Sequence, residues 1–218
     1  MVRALPGFHL FSASSRVNIS TFKIRIKERL LPCTKEDISS IASRGVFMNK
    51  IKLSAVNCEG SMRLWRGPEV KISVFASRKF NANDCHLEQW AAEMGARHRC
   101  LVGTFHSKAE KQILDVALAN GAFAVWLRGC SLPDYYSGEL WNAMVENRLL
   151  VISCFHMKHH TRDTARYCTH LAAMCCQRHA YFLKDDDSLL APRCRKAISW
   201  GYDVQVFNEE RPPEEKIL

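Results

Sequence analysis

From Val70 onward, short apolar runs alternate with longer segments whose apolar residues recur every three or four positions. Residues 71–76 (KISVFA) are β-branched and aromatic, which predicts a strand. A helix is expected over 87–94, ended by Gly95, then a second strand over 99–102. Residues 108–119 place Ile113, Val116 and Ala117 on one face, with Lys108 and Lys111 elsewhere, and close on Asn120-Gly121. That is an amphipathic helix with a glycine stop. Strands follow over 123–127, 149–154, 180–183 and 204–207, separated by helices over 138–147, 161–176 and 193–200.

Strands alternating with helices of this length make βαβ units. The strands lack polar alternation, as parallel strands covered on both faces do. The expected fold class is therefore α/β: a Rossmann-like, open, mostly parallel sheet flanked by helices. Ligands in such sheets bind beyond the carboxyl ends of the strands. Those ends read Ala76-Ser77-Arg78, Gly103-Thr104-Phe105-His106-Ser107, Arg128-Gly129-Cys130 and Phe155-His156.

Three segments are expected: a basic extension over 1–47, the Rossmann-like domain over 48–207, and a polar tail over 208–218. The formal net charge is +9, and the first 50 residues carry nine basic groups against three acids. A basic excess favours polyanion partners, because phosphate contacts release counterions. The first 47 residues read as an electrostatic arm, with a weak organelle-targeting segment and a start at Met48 as the alternatives. No apolar run reaches the ~18 residues of a membrane span. The ten cysteines are scattered, several lie in apolar runs, and no CxxC pair exists. Buried thiols in a reducing, cytoplasmic setting account for that pattern.

Two strand ends carry the candidate chemistry. Ser77-Arg78-Lys79 precedes a helix with Asn81, Asn83 and Asp84 as capping candidates, and backbone N–H groups at such an end favour anions. Gly103-Thr104-Phe105-His106-Ser107-Lys108 opens the next helix: Gly103 permits close approach, and Ser107 can cap the helix or donate to a phosphate. Glu110, three residues on, completes a capping-box spacing, so Ser107 and Glu110 also have a purely structural explanation. Neither GxGxxG nor GxxxxGK[ST] is present, which weighs against NAD and ATP.

It is on these residues that a family resemblance rests. Ile72-Ser73-Val74-Phe75-Ala76-Ser77-Arg78-Lys79 resembles the strand ending in G-S-R that opens the Rossmann-like domain of the DNA-processing protein A (DprA/Smf) family. Residues 101–110 are similar to that family's second strand and turn, 62–67 to its lead-in, 147–153 to a later strand, and Arg166-Tyr167 to an Arg-Asn pair opening a helix. The resemblance spans about residues 60–207. It implies a single-stranded DNA or nucleotide ligand in a basic pocket, a homodimer, a RecA-type recombinase as partner, and a role in recombination or DNA uptake. Carried over by position, Arg78 is the phosphate contact, Gly103 and Ser107 shape the pocket, and Arg166 is a second basic wall. Lys79, His106 and Lys108 join them as candidate contacts. The departures are Ala76 for the first Gly of G-S-R, Tyr167 for Asn, and Lys184-Asp185-Asp186-Asp187 in place of a glycine-containing phosphate loop.

Other constellations carry less weight. His156, His159, His160, Cys168, His170, Cys175, Cys176 and His179 are dense enough to consider zinc, with Cys175 and His179 as an i, i+4 helical pair. Their order follows no finger spacing, so no cofactor or metal is expected, and Asp185 to Asp187 read as a solvated loop. His106 and Ser107 are adjacent with no orienting acid, and P-G-G-x-G-T-x-x-E is absent, so the chain is not expected to be an enzyme. The alternative is a sensor or processing protein for a nucleotide or its derivative, using the same crevice. Of the five tryptophans, most are expected in the core, with Trp65, beside Arg63 and Arg66, as the candidate stacking platform.

Overall fold

The computed structural model describes residues 57–153, 155–185 and 188–209. β1 (Asn57–Gly60) and the one-turn α1 (Arg63–Arg66) lead in. The alternating core follows: β2 (Lys71–Ala76), α2 (Cys85–Ala96), β3 (Cys100–Gly103), α3 (Lys108–Ala119), β4 (Phe123–Arg128), α4 (Gly138–Val145), β5 (Leu149–Ser153), α5 (Arg162–Cys175), β6 (Arg178–Leu183), α6 (Ala191–Ser199) and β7 (Asp203–Asn208). The basic extension over 1–47, residues 48–56, and residues 210–218 of the polar tail expected over 208–218 lie outside the described residues, while Asn208 belongs to β7.

The seven strands form one sheet in the order β1-β5-β4-β3-β2-β6-β7. Every pairing is parallel except β1 with β5. The chain enters the middle at β2, winds outward to β5, then crosses back to β6 and β7. Apolar side chains of alternate parity explain the two helical layers. Ile72, Val74, Leu101, Ala124 and Phe182 meet α2, α3 and α4. Phe75, Val102, Val125, Leu127 and Tyr181 meet α1, α5 and α6. Both faces of the parallel strands are thus covered, as their unbroken apolar runs require. The α/β fold expected from the pattern is the fold observed.

Local chemistry sets the helix ends. Asp84 accepts from His86 and Leu87 backbone N–H groups at 2.9 and 3.2 Å and starts α2. Gly95 does not end that helix: α2 continues to Ala96. Its role is close approach, since a Cβ there would lie 2.5 Å from Asn120 Cβ and 2.7 Å from Ala117 O on α3. The expected 161–176 helix ends at Cys175, and His179 stands on β6. The helical Cys175–His179 pair therefore does not form. Instead the buried His179 ring points Nε2 at the carbonyls of Ala173 and Cys176, 3.0 and 3.1 Å away, closing the end of α5. Burial, working against those backbone bonds, holds its pKa below the ordinary imidazole value.

Cys100, Cys130, Cys168, Cys176 and Cys194 are buried thiols. Burial pushes Cys100 up to about 12 and Cys176 up to about 11, so these two thiols stay protonated and unreactive. Among the described residues no group of three His, Cys, Asp or Glu side chains is placed to hold a metal ion. None of the described helices is long and apolar enough to cross a membrane.

Gly95→Ala should lower the free energy of unfolding by about 2 kcal/mol, because α3 must move to admit the methyl. Urea denaturation of the two proteins measures this directly.

Candidate nucleic-acid interface

The mouth of the sheet is organised by one buried carboxylate. Glu110 is 4% exposed. Its Oε1 accepts from the Ala76 N–H at the end of β2, 3.3 Å away. Its Oε2 accepts from the His106 N–H at 3.0 Å, the Ser107 N–H at 3.5 Å and the Thr104 hydroxyl at 3.2 Å. Ser107 accepts in return from the Glu110 N–H at 3.1 Å, so the capping box read from the spacing is present. One side chain thus caps α3 and fastens the carboxyl ends of β2 and β3 together.

That fastening supports a strained turn. Phe105 has φ +44°, a left-handed conformation that a bulky residue adopts only under constraint. Its ring is buried and folds back over Gly103, where a Cβ would lie 3.0 Å from the ring. Gly103 is therefore required by Phe105, which already occupies the close approach the glycine allows. The turn leaves His106 half-buried at the surface, with Nδ1 2.6 Å from the Thr104 hydroxyl. That hydroxyl gives its proton to Glu110, so Nδ1–H is the donor, and Nε2 is left as the ring's second nitrogen.

Beyond this turn opens a cleft of about 170 Å³ between the ends of β3 and β4 and the start of α5. His106, Lys111, Trp126, Arg128 and His160 line it. Trp126 donates its indole N–H to the Thr104 carbonyl at 2.8 Å. The Arg128 guanidinium lies 4.7 Å from the Trp126 ring centroid and is steadied by its Nε on the Ser131 carbonyl at 2.8 Å. The His106 and His160 rings are 5.9 Å apart. Desolvation lowers the His160 pKa, and His106, Arg78, Arg128 and His159 lower it further. All four of these neighbours are basic. The mouth therefore concentrates positive potential where a strand-end ligand would sit.

The sequence-predicted residues separate into two groups. Arg78 and Lys79 are exposed on the turn after β2, and Arg78 acts electrostatically on His160 across the mouth. His106 lines the cleft, and Lys108 is exposed on the first turn of α3. The other group is committed inward. The Ser77 hydroxyl meets the Ser188 hydroxyl and accepts from the Lys184 N–H at 3.4 Å, stitching β2 to the loop after β6. Ser107 is spent on the cap and Gly103 on Phe105. Arg166 is exposed on α5 and lies within electrostatic reach of Arg193 on α6. Lys184 pairs with Glu209, and Asp186 and Asp187 lie outside the described residues.

Lys111, Trp126, Arg128 and His160 are lining residues that sequence reasoning misses. The signal for Arg128 is its place at a strand end, whereas His160 reads as one of a group of metal candidates. Trp126 reads as core because it lies in the apolar run of β4. Trp65, the expected platform, instead packs against the core beside Leu64. Trp141 and Trp200, expected in the core, are exposed.

The site defines a class: a Rossmann-like α/β domain with a cationic mouth and an aromatic–guanidinium wall. No protein-family model matches the chain, and no curated protein matches it. Among solved structures, DNA processing protein A of Helicobacter pylori, a single-stranded DNA-binding protein, superposes with TM-score 0.53 at 14% identity, over 72% of this chain and 73% of that one. DNA processing protein A of Streptococcus pneumoniae superposes with TM-score 0.52 at 17% identity, over 69% of this chain and 54% of that one. The chain thus shares the DprA fold while spanning about half the length of the pneumococcal protein.

Glu110→Ala should cost about 3 kcal/mol of stability, because it strands several buried donors at once; thermal or urea unfolding checks it. In Arg78→Ala the His160 titration midpoint, followed by its ring proton in NMR, should move upward as a like charge leaves.

Proposed function

We propose that the chain binds single-stranded DNA at this mouth, in the manner of a DprA-like protein acting in recombination or DNA uptake. The observation that carries the reading is that His106, Lys111, Arg128 and His160 all line one cleft, with Arg78 acting electrostatically on His160. Phosphates would be met by Arg78 and Lys79 from the β2 turn and by Lys108 and Lys111 from α3. Arg166 and the strand-end residues Ser77, Gly103 and Ser107 would support the backbone path from behind. A base would lie against the Arg128–Trp126 pair, since every base offers a π-face to such a surface. The shared fold and the DNA bound by the Helicobacter pylori protein support this reading. A homodimer, a RecA-type partner and cytoplasmic residence go with it as expectations of the same reading, as does a binding role without catalysis.

A second reading is a sensor or processing protein for a nucleotide or its derivative. At about 170 Å³ the cleft is smaller than the ~300 Å³ at which ligand pockets begin, so it would take one base or one phosphoryl group and leave the rest of the ligand on the surface. A mononucleotide or derivative would use the same residues.

Fluorescence anisotropy of a labelled single-stranded oligonucleotide distinguishes the two. Arg78→Ala and Arg128→Ala should each weaken binding roughly tenfold and reduce the slope of log K against log salt by about one. Salt-independent affinity, or saturable binding of a mononucleotide that the oligonucleotide cannot displace, would move the assignment to the second reading.

A further inference from the structure

Two imidazoles meet at the cleft, and the arginine and lysine contacts named above use neither. His106 comes from the turn between β3 and α3, and His160 from the loop leading into α5. Their ring centroids are 5.9 Å apart, with the planes tilted by 48°. Both rings line the cleft together with Lys111 and Arg128. His106 is oriented from behind: its Nδ1 is held on the Thr104 hydroxyl at 2.6 Å, with Glu110 Oε2 3.5 Å away. Nε2 is the nitrogen left for a ligand. The His160 ring makes no hydrogen bond among the described residues.

Cations face this pair from each element around it. Arg78 comes from the turn after β2, Lys111 from α3, Arg128 from β4, and His159 from the same loop as His160. α5 lines the cleft with the apolar Ala165. Among the described residues no carboxylate lines the cleft, and Glu110 behind His106 is buried and committed to the strand ends. A proton on His160 is therefore opposed. Desolvation, and then the like charges of His106, Arg78, Arg128 and His159, hold its pKa below the ordinary imidazole value. An anion seated between the rings reverses that balance, because an opposite charge favours the protonated form. Rings at this spacing can both reach one phosphoryl group through N–H···O bonds of about 2.8 Å. A cleft of about 170 Å³ holds one such group and leaves the attached nucleoside outside, along the Arg128–Trp126 wall.

We propose that the His106–His160 pair is the phosphate seat of the mouth, and that the mouth takes up a proton when a phosphodiester of the strand enters between the rings. The seat rests on the single-strand reading above and differs from the arginine and lysine contacts in that its charge depends on pH. In the free protein the His160 pKa lies below the ordinary 6.5, so the ring is neutral at pH 7. In the complex the phosphate raises that pKa. Affinity therefore grows as pH falls through the pKa of the complex, and the gain is complete once pH is below the pKa of the free protein. Above both values the arginines and lysines hold the strand by themselves.

The probe is a rhodamine-labelled oligothymidylate without terminal phosphates, followed by fluorescence anisotropy with the full chain at constant ionic strength. It carries no group that titrates between about pH 5.5 and 8, the window in which histidine changes charge. Wild-type affinity should rise about tenfold from the upper to the lower end, equivalent to a one-unit rise in one imidazole pKa on binding. His160→Gln should remove most of that rise. His160→Arg, a fixed cation, should bind at the upper end as tightly as wild type does at the lower end. His160 is exposed, so neither substitution disturbs the core. His156→Gln, in the same loop but outside the cleft lining, should keep the full rise. Ring-proton NMR should show the His160 midpoint higher in the complex than in the free protein, with the His106 ring signals shifting in the same titration. A full rise retained in His160→Gln, or a His160 midpoint unmoved by the strand, would overturn the proposal. Binding that Arg78→Ala weakens but pH does not alter would leave the single-strand reading standing and sink the seat. An oligonucleotide that fails to bind at any pH would remove both.

Discussion

The Glu110 carboxylate is the constraint on which the mouth of this domain depends. It is a charged group almost wholly removed from water, and it is tolerable there because donors from three backbone amides and a hydroxyl converge on it. Those donors come from the ends of two strands. Satisfying one charge therefore fixes the end of β2 against the β3–α3 turn, and it holds Phe105 in a conformation the residue would otherwise avoid. His106 reaches the cleft edge as a consequence of that turn, and Trp126 is anchored to the same turn through the Thr104 carbonyl. A buried acid thus gives the basic rim its shape.

At the carboxyl ends of the strands, cations and an aromatic ring face outward around an open cleft, an arrangement suited to a flexible polyanion that is held by many weak, screened contacts. Ser77 joins the turn after β2 to the loop after β6 through Ser188 and Lys184. That stitch spans β2 and β6, where the strand order reverses, and the open concavity lies instead toward β3 and β4.

Much of the fold was legible because its signals are local. Unbroken apolar runs marked the central strands, and the spacing of Ser107 and Glu110 marked a cap that forms as read. The features that were not legible depend on contacts distant in sequence. Gly95 reads as a helix stop unless Asn120 is known to press against it. His179 reads as a continuation of α5 until its ring is seen closing that helix from β6. Trp126 belongs to an apolar run, yet it lies near a strand end, where the layer above it opens. Arg78 could be placed from its strand end alone, whereas Arg128 and His160 become partners only when β4 and the loop before α5 are brought side by side. Gly103 shows the reverse case: its type was informative, but the group that needs the space is the neighbouring Phe105 ring.

The most direct test of the central claim, that the cationic mouth is the nucleic-acid surface, is ¹H–¹⁵N chemical-shift mapping of the full chain titrated with a short single-stranded oligonucleotide. The account predicts that the Trp126 indole N–H and the amides of Arg78, His106, Arg128 and His160 shift together along one binding curve. Shifts confined to α6 and β7, or to the residues preceding β1, with the Trp126 indole unmoved, would contradict it.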